Sequence, residues 1–126
     1  DTYNANPASV AAAIEALASC PCQGSRFAAL GDMLELGEAS ASLHARIGEM
    51  AGGLGIDGVY TYGPFGVHTV EAARAGGVSD ARAFQDHRSL AAAIHGAARP
   101  GDVLLVKGSR GMRMEIVIEE LQKLYN

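Results

Sequence analysis

Short apolar runs alternate with helical stripes along nearly the whole chain. The run Asp102 to Val106 is rich in valine and leucine, which suits a strand buried on both faces of a parallel sheet. It breaks off at Lys107. From Met114 the apolar residues fall at Met114, Val117, Ile118 and Leu121, one stripe of a helix, with Glu115, Glu119, Glu120 and Lys123 on the wet side. The pattern predicts strand, loop, helix, and the loop is KGSRG.

The same alternation runs through the earlier chain. DTYNAN is polar and turn-forming, with Asn6 placed to cap a helix that opens at Pro7, buries Val10, Ile14 and Leu17, and stops before Pro21. Phe27 to Leu30 predicts a strand that runs into GDMLELGE. Ser40 or Ser42 is expected to cap the next helix, with Leu43, Ile47, Met50, Ala51 and Leu54 inward. Gly58 to Tyr62 predicts a strand, and Gly63, Pro64 and Gly66 a turn. A helix from about Phe65 to Ala75 is expected, its face defined by Val67, Val70 and Ala73 or Arg74. Ala81 to Phe84 follows as a strand, and then a helix capped by Asp86 with Leu90, Ile94 and Ala97 inward, closed by Pro100 and Gly101.

A first helix followed by strand and helix in regular succession implies parallel strands joined by crossovers. The expected fold class is therefore α/β, a three-layer, doubly wound, mostly parallel sheet of Rossmann-like kind. In such a sheet the loops after each strand gather along one edge, where ligands bind. DTYNAN, GDMLELG, YGPFG and KGSRG would share that edge. Together they bring Asp1, Asn4, Asn6, Asp32, Lys107, Ser109 and Arg110, groups suited to a polar, charged, bifunctional ligand. KGSRG alone, with two cations, a hydroxyl and glycine-freed N–H groups, is built to hold an anion. His44, on the first turn of its helix, is expected to face either the core edge or the site.

Composition narrows the function. The 126 residues, 48% of them hydrophobic, make one domain spanning 1–126. A net charge of −4 lacks the basic face that general nucleic-acid binding requires. No apolar run approaches the roughly 18 residues of a membrane span, and a cytoplasmic location is expected. Cys20 and Cys22 flank a single proline and read as reduced thiols. There is no GxxxxGK[ST] loop, no GxGxxG opening a helix, no metal-ligand cluster and no nucleophile paired with a base. Binding groups without catalytic machinery of their own imply that the machinery lies elsewhere.

Three stretches in the same order, DTYNANP, GDMLELGE followed by LHARIG, and VKGSRGMRME, resemble the C-terminal domain of the Mur ligases. The nearest likeness is to the branch that joins D-alanyl-D-alanine to UDP-MurNAc-tripeptide. The resemblance implies that the UDP-sugar domain and the central ATP-binding domain are absent from this chain. It also implies a reaction in which ATP with Mg2+, bound mainly by the central domain, activates a carboxylate as an acyl phosphate for attack by the dipeptide's amino group. Carried across position by position, Asp1 matches the acidic residue facing the ribose, and Asn4 and Asn6 match amide positions near the phosphates. Lys107, Gly108, Ser109 and Arg110 match the loop that binds the dipeptide carboxylate. Asp32 and His44 match substrate-side positions, Asp32 either orienting the dipeptide's ammonium or tying down its own loop. The first of a pair of acidic residues and the strand leading to it are missing ahead of Asp1. The alternative is a stand-alone doubly wound module, receiver-like or flavodoxin-like, that binds an anion or a protein; a receiver would cluster acidic residues at its first strand's end, where Asp32 stands alone.

Overall fold

The computed structural model describes residues 5–126. Helix α1 (Pro7–Ser19) opens the chain, followed by β1 (Arg26–Gly31), α2 (Ser40–Gly53), β2 (Gly58–Tyr62), α3 (Gly66–Ala75), β3 (Asp80–Phe84), α4 (His87–Ala97), β4 (Val103–Lys107) and α5 (Glu115–Tyr125). Short 3₁₀ turns at Gly37–Ala39 and Arg110–Met112 lead into α2 and α5.

Among the described residues the four strands form one parallel sheet in the order β3-β2-β1-β4. Strand β1 is central: Leu30 pairs with Thr61 of β2 on one side and with Lys107 of β4 on the other. Alternate strand residues feed two cores, as a two-residue side-chain period requires. Ala28, Leu30, Val59 and Ala81 pack beneath α1, α2 and α3 through Ile14, Ile47 and Val70. Phe27, Ala29 and Tyr60 pack beneath α4 and α5 through Leu90, Ile94, Val117 and Leu121. The expected three-layer architecture is thus observed.

The chain runs outward from β1 to β2 to β3 with helices on one face, then returns through α4 on the other face to place β4 beside β1. The strand order reverses between β1 and β4, and ligands of open α/β sheets bind outside the carboxyl ends at such a switch point.

Several helix faces differ from the hydrophobic pattern. In α2 the buried residues are Ser40, His44, Ile47, Gly48 and Ala51, while Leu54 is 42% exposed and Leu43 only half-buried. In α3 they are Gly66, Thr69, Val70 and Ala73, and Val67 is turned outward. The reason is close helix contact through small residues. A Cβ at Gly48 would stand 2.1 Å from the carbonyl oxygen of Thr69, and one at Gly52 would stand 2.7 Å from that of Gly76. Such faces carry no apolar signal. Ile118 of α5 is likewise exposed, with Val117 and Leu121 inward.

Neither expected serine caps α2. The N-cap is Ala39, reached from the preceding 3₁₀ turn, so Ser42 donates to Ala39 O at 3.0 Å and Ser40 sits buried beside His44. The caps of α1 and α4 are as expected. Asn6 Oδ1 accepts from Ser9 N at 2.9 Å while Ser9 Oγ accepts from Asn6 N at 3.0 Å, a reciprocal capping box, and Asp86 accepts from Ser89 N at 2.7 Å.

Candidate functional site

At the switch point the last residue of β1 and the loop after β4 approach so closely that only glycine fits at either. A Cβ at Gly108 would lie 2.9 Å from the Cα of Gly31, and one at Gly31 would lie 2.9 Å from the side chain of Met114. This approach brings Ser109 over the residues that follow β1. Ser109 N donates to Asp32 O at 3.0 Å, Ser109 Oγ accepts from Leu34 N at 2.9 Å, and the same hydroxyl donates to Ala5 O at 3.2 Å. Ala5 belongs to the DTYNAN stretch. The first and last of the loops expected at the edge therefore touch, through residues 104 positions apart.

The loop after β1 is held from below as well. Asp32 is 1% exposed, and its carboxylate accepts the N–H of Phe65, at 3.2 Å to one oxygen and 3.3 Å to the other. Burial pushes its pKa up, and the hydrogen bond from Phe65 N–H opposes that rise without cancelling it. His44, also buried, accepts from Met33 N at Nε2 (3.0 Å), and its Nδ1 lies 2.7 Å from Ser40 O. Those partners fix the Nδ1–H tautomer of a neutral ring. Its Nε2 stands 4.0 Å from Asp32 Oδ1, and its face stacks on Phe65 with centroids 5.3 Å apart. Of the two orientations open to His44 in the sequence, the structure shows the buried one.

Lys107 ends β4 buried, at 4% exposure, and Arg110 is exposed where the 3₁₀ turn begins. Asn6 is engaged through Oδ1 and its N–H in the helix cap. Asp1 and Asn4 lie outside the described residues.

A cavity of about 450 Å³ opens on the same edge, beyond β2 and β3, lined by Tyr62, Pro64, Val67, Phe84, Gln85 and Met112 among others. Met112 belongs to the turn after KGS, so the cavity adjoins the switch point. Its far wall is braced by His87, whose Nε2 lies 2.8 Å from Met112 O and whose ring lies 4.1 Å from that of Tyr62. Phe84, Gln85 and His87 belong to no motif and do not stand out in the sequence. The one signal pointing to them is the position of β3's carboxyl end, which falls on the same edge by the rule that places the other loops.

Among the described residues no three His, Cys, Asp or Glu side chains converge, and the one carboxylate at the switch point is buried against a backbone N–H. No described helix is long and apolar enough to cross a membrane.

Parallel strands, a switch point and a rim of interlocked polar loops define a doubly wound α/β domain. The family profile described as "Mur ligase, glutamate ligase domain" matches residues 1–110. The chain belongs to the Mur ligase family, where it corresponds to the C-terminal domain. It is similar to the UDP-N-acetylmuramoyl-tripeptide--D-alanyl-D-alanine ligases of Bacillus subtilis (36% identical, 96% of this chain and 27% of the relative) and Escherichia coli (38% identical, 98% and 26%). Among solved structures it is similar to MurF ligase from Thermotoga maritima in complex with ADP, with TM-score 0.77 and 35% identity over 98% of this chain and 27% of that one. MurF from Acinetobacter baumannii gives a TM-score of 0.82 at 30% identity, with 98% and 27% covered. The chain thus spans about a quarter of its relatives' length. Family membership displaces the receiver-like alternative.

Proposed function

We propose that this chain is the C-terminal domain of an ATP-dependent ligase that joins D-alanyl-D-alanine to UDP-N-acetylmuramoyl-tripeptide through an acyl phosphate, a step of peptidoglycan precursor synthesis in the cytoplasm. The carrying observation is the interlocking of the 5, 32–34 and 108–110 segments at one switch point, in a chain whose relatives bear that activity in their names. The UDP-sugar domain and the central ATP domain, with its Mg2+, would come from the remainder of a polypeptide about four times as long, as the 27% coverage implies.

In this reading the domain acts by positioning. Asp1, Asn4 and Asn6 face the nucleotide, and KGSR faces the incoming dipeptide. Arg110 takes the dipeptide's carboxylate, which a guanidinium can grip with two parallel hydrogen bonds, and buried Lys107 adds positive charge from within the fold. The adjoining cavity offers Val67, Phe84 and Met112 as apolar walls for the two methyl groups, and its volume of about 450 Å³ accommodates a dipeptide. The dipeptide's ammonium gives one proton to solvent, the freed amine forms the C–N bond as the acyl C–O bond breaks, and phosphate departs with that bond's electron pair and takes up the second nitrogen proton. Holding both reactants in that geometry is the domain's contribution, and asks of it no acid, base or metal of its own.

The test compares the full-length ligase with this domain alone, each given ATP, Mg2+, UDP-MurNAc-tripeptide and D-alanyl-D-alanine. The full-length enzyme should release ADP and form the amide, and the domain alone should turn over no ATP. Failure of the first, or ATP turnover by the second, overturns the reading.

A further inference from the structure

We infer that Ser109 is a positioning residue that holds the nucleotide-facing loop in register with the dipeptide-facing loop, and that it does so without touching either substrate; this rests on the ligase reading above. A serine hydroxyl has one proton and two acceptor lone pairs. At Ser109 the proton is directed to Ala5 O at 3.2 Å and one lone pair receives Leu34 N at 2.9 Å, while the residue's own N–H reaches Asp32 O at 3.0 Å. One side chain therefore joins the segment ahead of α1 to the loop after β1, and the backbone of the same residue carries the loop after β4.

The hydroxyl cannot serve a substrate carboxylate as well. To donate to that carboxylate it would have to release Ala5, and with it the link between the two loops. Arg110, next in sequence and exposed, is the group that meets the ligand in the ligase reading. Ala5 adjoins Asn4 and Asn6, the positions assigned to the nucleotide, so a shift of Ala5 against Ser109 changes where the activated carboxylate stands relative to the amine. Misplacement of reacting groups by about 1 Å lowers the rate of the chemical step on the order of 100-fold while leaving binding largely intact. The signature is therefore a fall in kcat rather than a rise in KM.

The local backbone admits a second hydroxyl-bearing residue. Ser109 is extended at φ −61 and ψ 151, a conformation open to β-branched side chains. Ser109→Thr preserves the proton and lone pairs, and Ser109→Ala removes them.

In the full-length ligase, Ser109→Ala should lower kcat by about 10- to 100-fold with the KM for ATP and for D-alanyl-D-alanine each within about threefold of wild type. Ser109→Thr should recover most of the rate, and thermal melting should show both variants folded. A rise in the KM for D-alanyl-D-alanine alone, at unchanged kcat, would make Ser109 a direct ligand and overturn the inference. Unaltered kinetics in Ser109→Ala, or equal impairment of the threonine and alanine variants, would also overturn it. A wild-type enzyme that forms no amide overturns the ligase reading itself, and the positioning role with it.

Discussion

Asp32 illustrates how little of a residue's role its type discloses. A carboxylate in a loop after a strand invites assignment to a ligand's ammonium, yet its oxygens receive the N–H of Phe65 and it is 1% exposed. Burial raises its pKa above the ordinary 3.8, so the folded state holds the proton to higher pH than the unfolded chain does. The sign follows: this group favours folding most at acid pH, where it is protonated in both states, and opposes folding increasingly as pH rises through the unfolded and then the folded pKa. Asp32→Asn keeps an acceptor for Phe65 and removes the titration. Denaturant midpoints should show the variant gaining on wild type from acid toward neutral pH; a constant offset at every pH would contradict this. Arg110 contrasts with it. It is exposed on the rim, and in the full-length ligase Arg110→Ala should raise the KM for D-alanyl-D-alanine by about 10- to 100-fold, the size of a lost charge-assisted bond. Unchanged kinetics would remove it from the site. The convergence of these segments was legible from alternating strands and helices. The partners of Asp32, His44 and Ser109 were not, because each depends on which loop lies across from it.

Elements announced by strong local signals formed where expected, although β4, expected to be buried on both faces, lies at the edge of the described sheet with Val103–Val106 only half-buried. Helix α1, with Asn6, Pro7 and the stripe Val10, Ile14 and Leu17, is capped and buried as its pattern predicts. The parallel strands appeared where apolar runs ended in glycine or polar residues. The faces of α2 and α3 were legible in part: Ile47, Ala51, Val70 and Ala73 are buried as expected, while Gly48, Gly52 and Thr69, where the helices meet, have no apolar periodicity to detect. That contact makes a sharp prediction. Gly48→Ala places a methyl 2.1 Å from a backbone oxygen of the neighbouring helix and should destabilise the domain by about 1–3 kcal/mol in chemical denaturation. Gly96→Ala in α4, where an added Cβ meets nothing within 4 Å, should instead stabilise it by about 0.5–1 kcal/mol. Equal effects at the two glycines would show that the close approach of α2 and α3 is not what constrains Gly48.

At the scale of the molecule, the fold divides its labour between the two ends of the sheet. The carboxyl end bears the interlocked loops. The amino end is fastened by Asp102, which accepts from Ser25 N and Arg99 N at 2.7 Å each, and by Asp80 and Arg82 around the Tyr60 hydroxyl. Burial and the bond to Asp80 push the pKa of that phenol up to about 12, so it stays protonated through the physiological range. With the sheet anchored at its far end, the rim at the carboxyl end is polar and irregular. In the proposed reading this domain supplies binding groups, and the activity belongs to a longer chain.

The bond from Leu34 N–H to Ser109 Oγ spans 75 positions, so that amide has this partner only when the loop after β4 lies across the loop after β1. Its exchange with solvent deuterium should therefore report the parting of those two loops, although Leu34 is 41% exposed. One amide thus carries a local readout of the contact between distant segments.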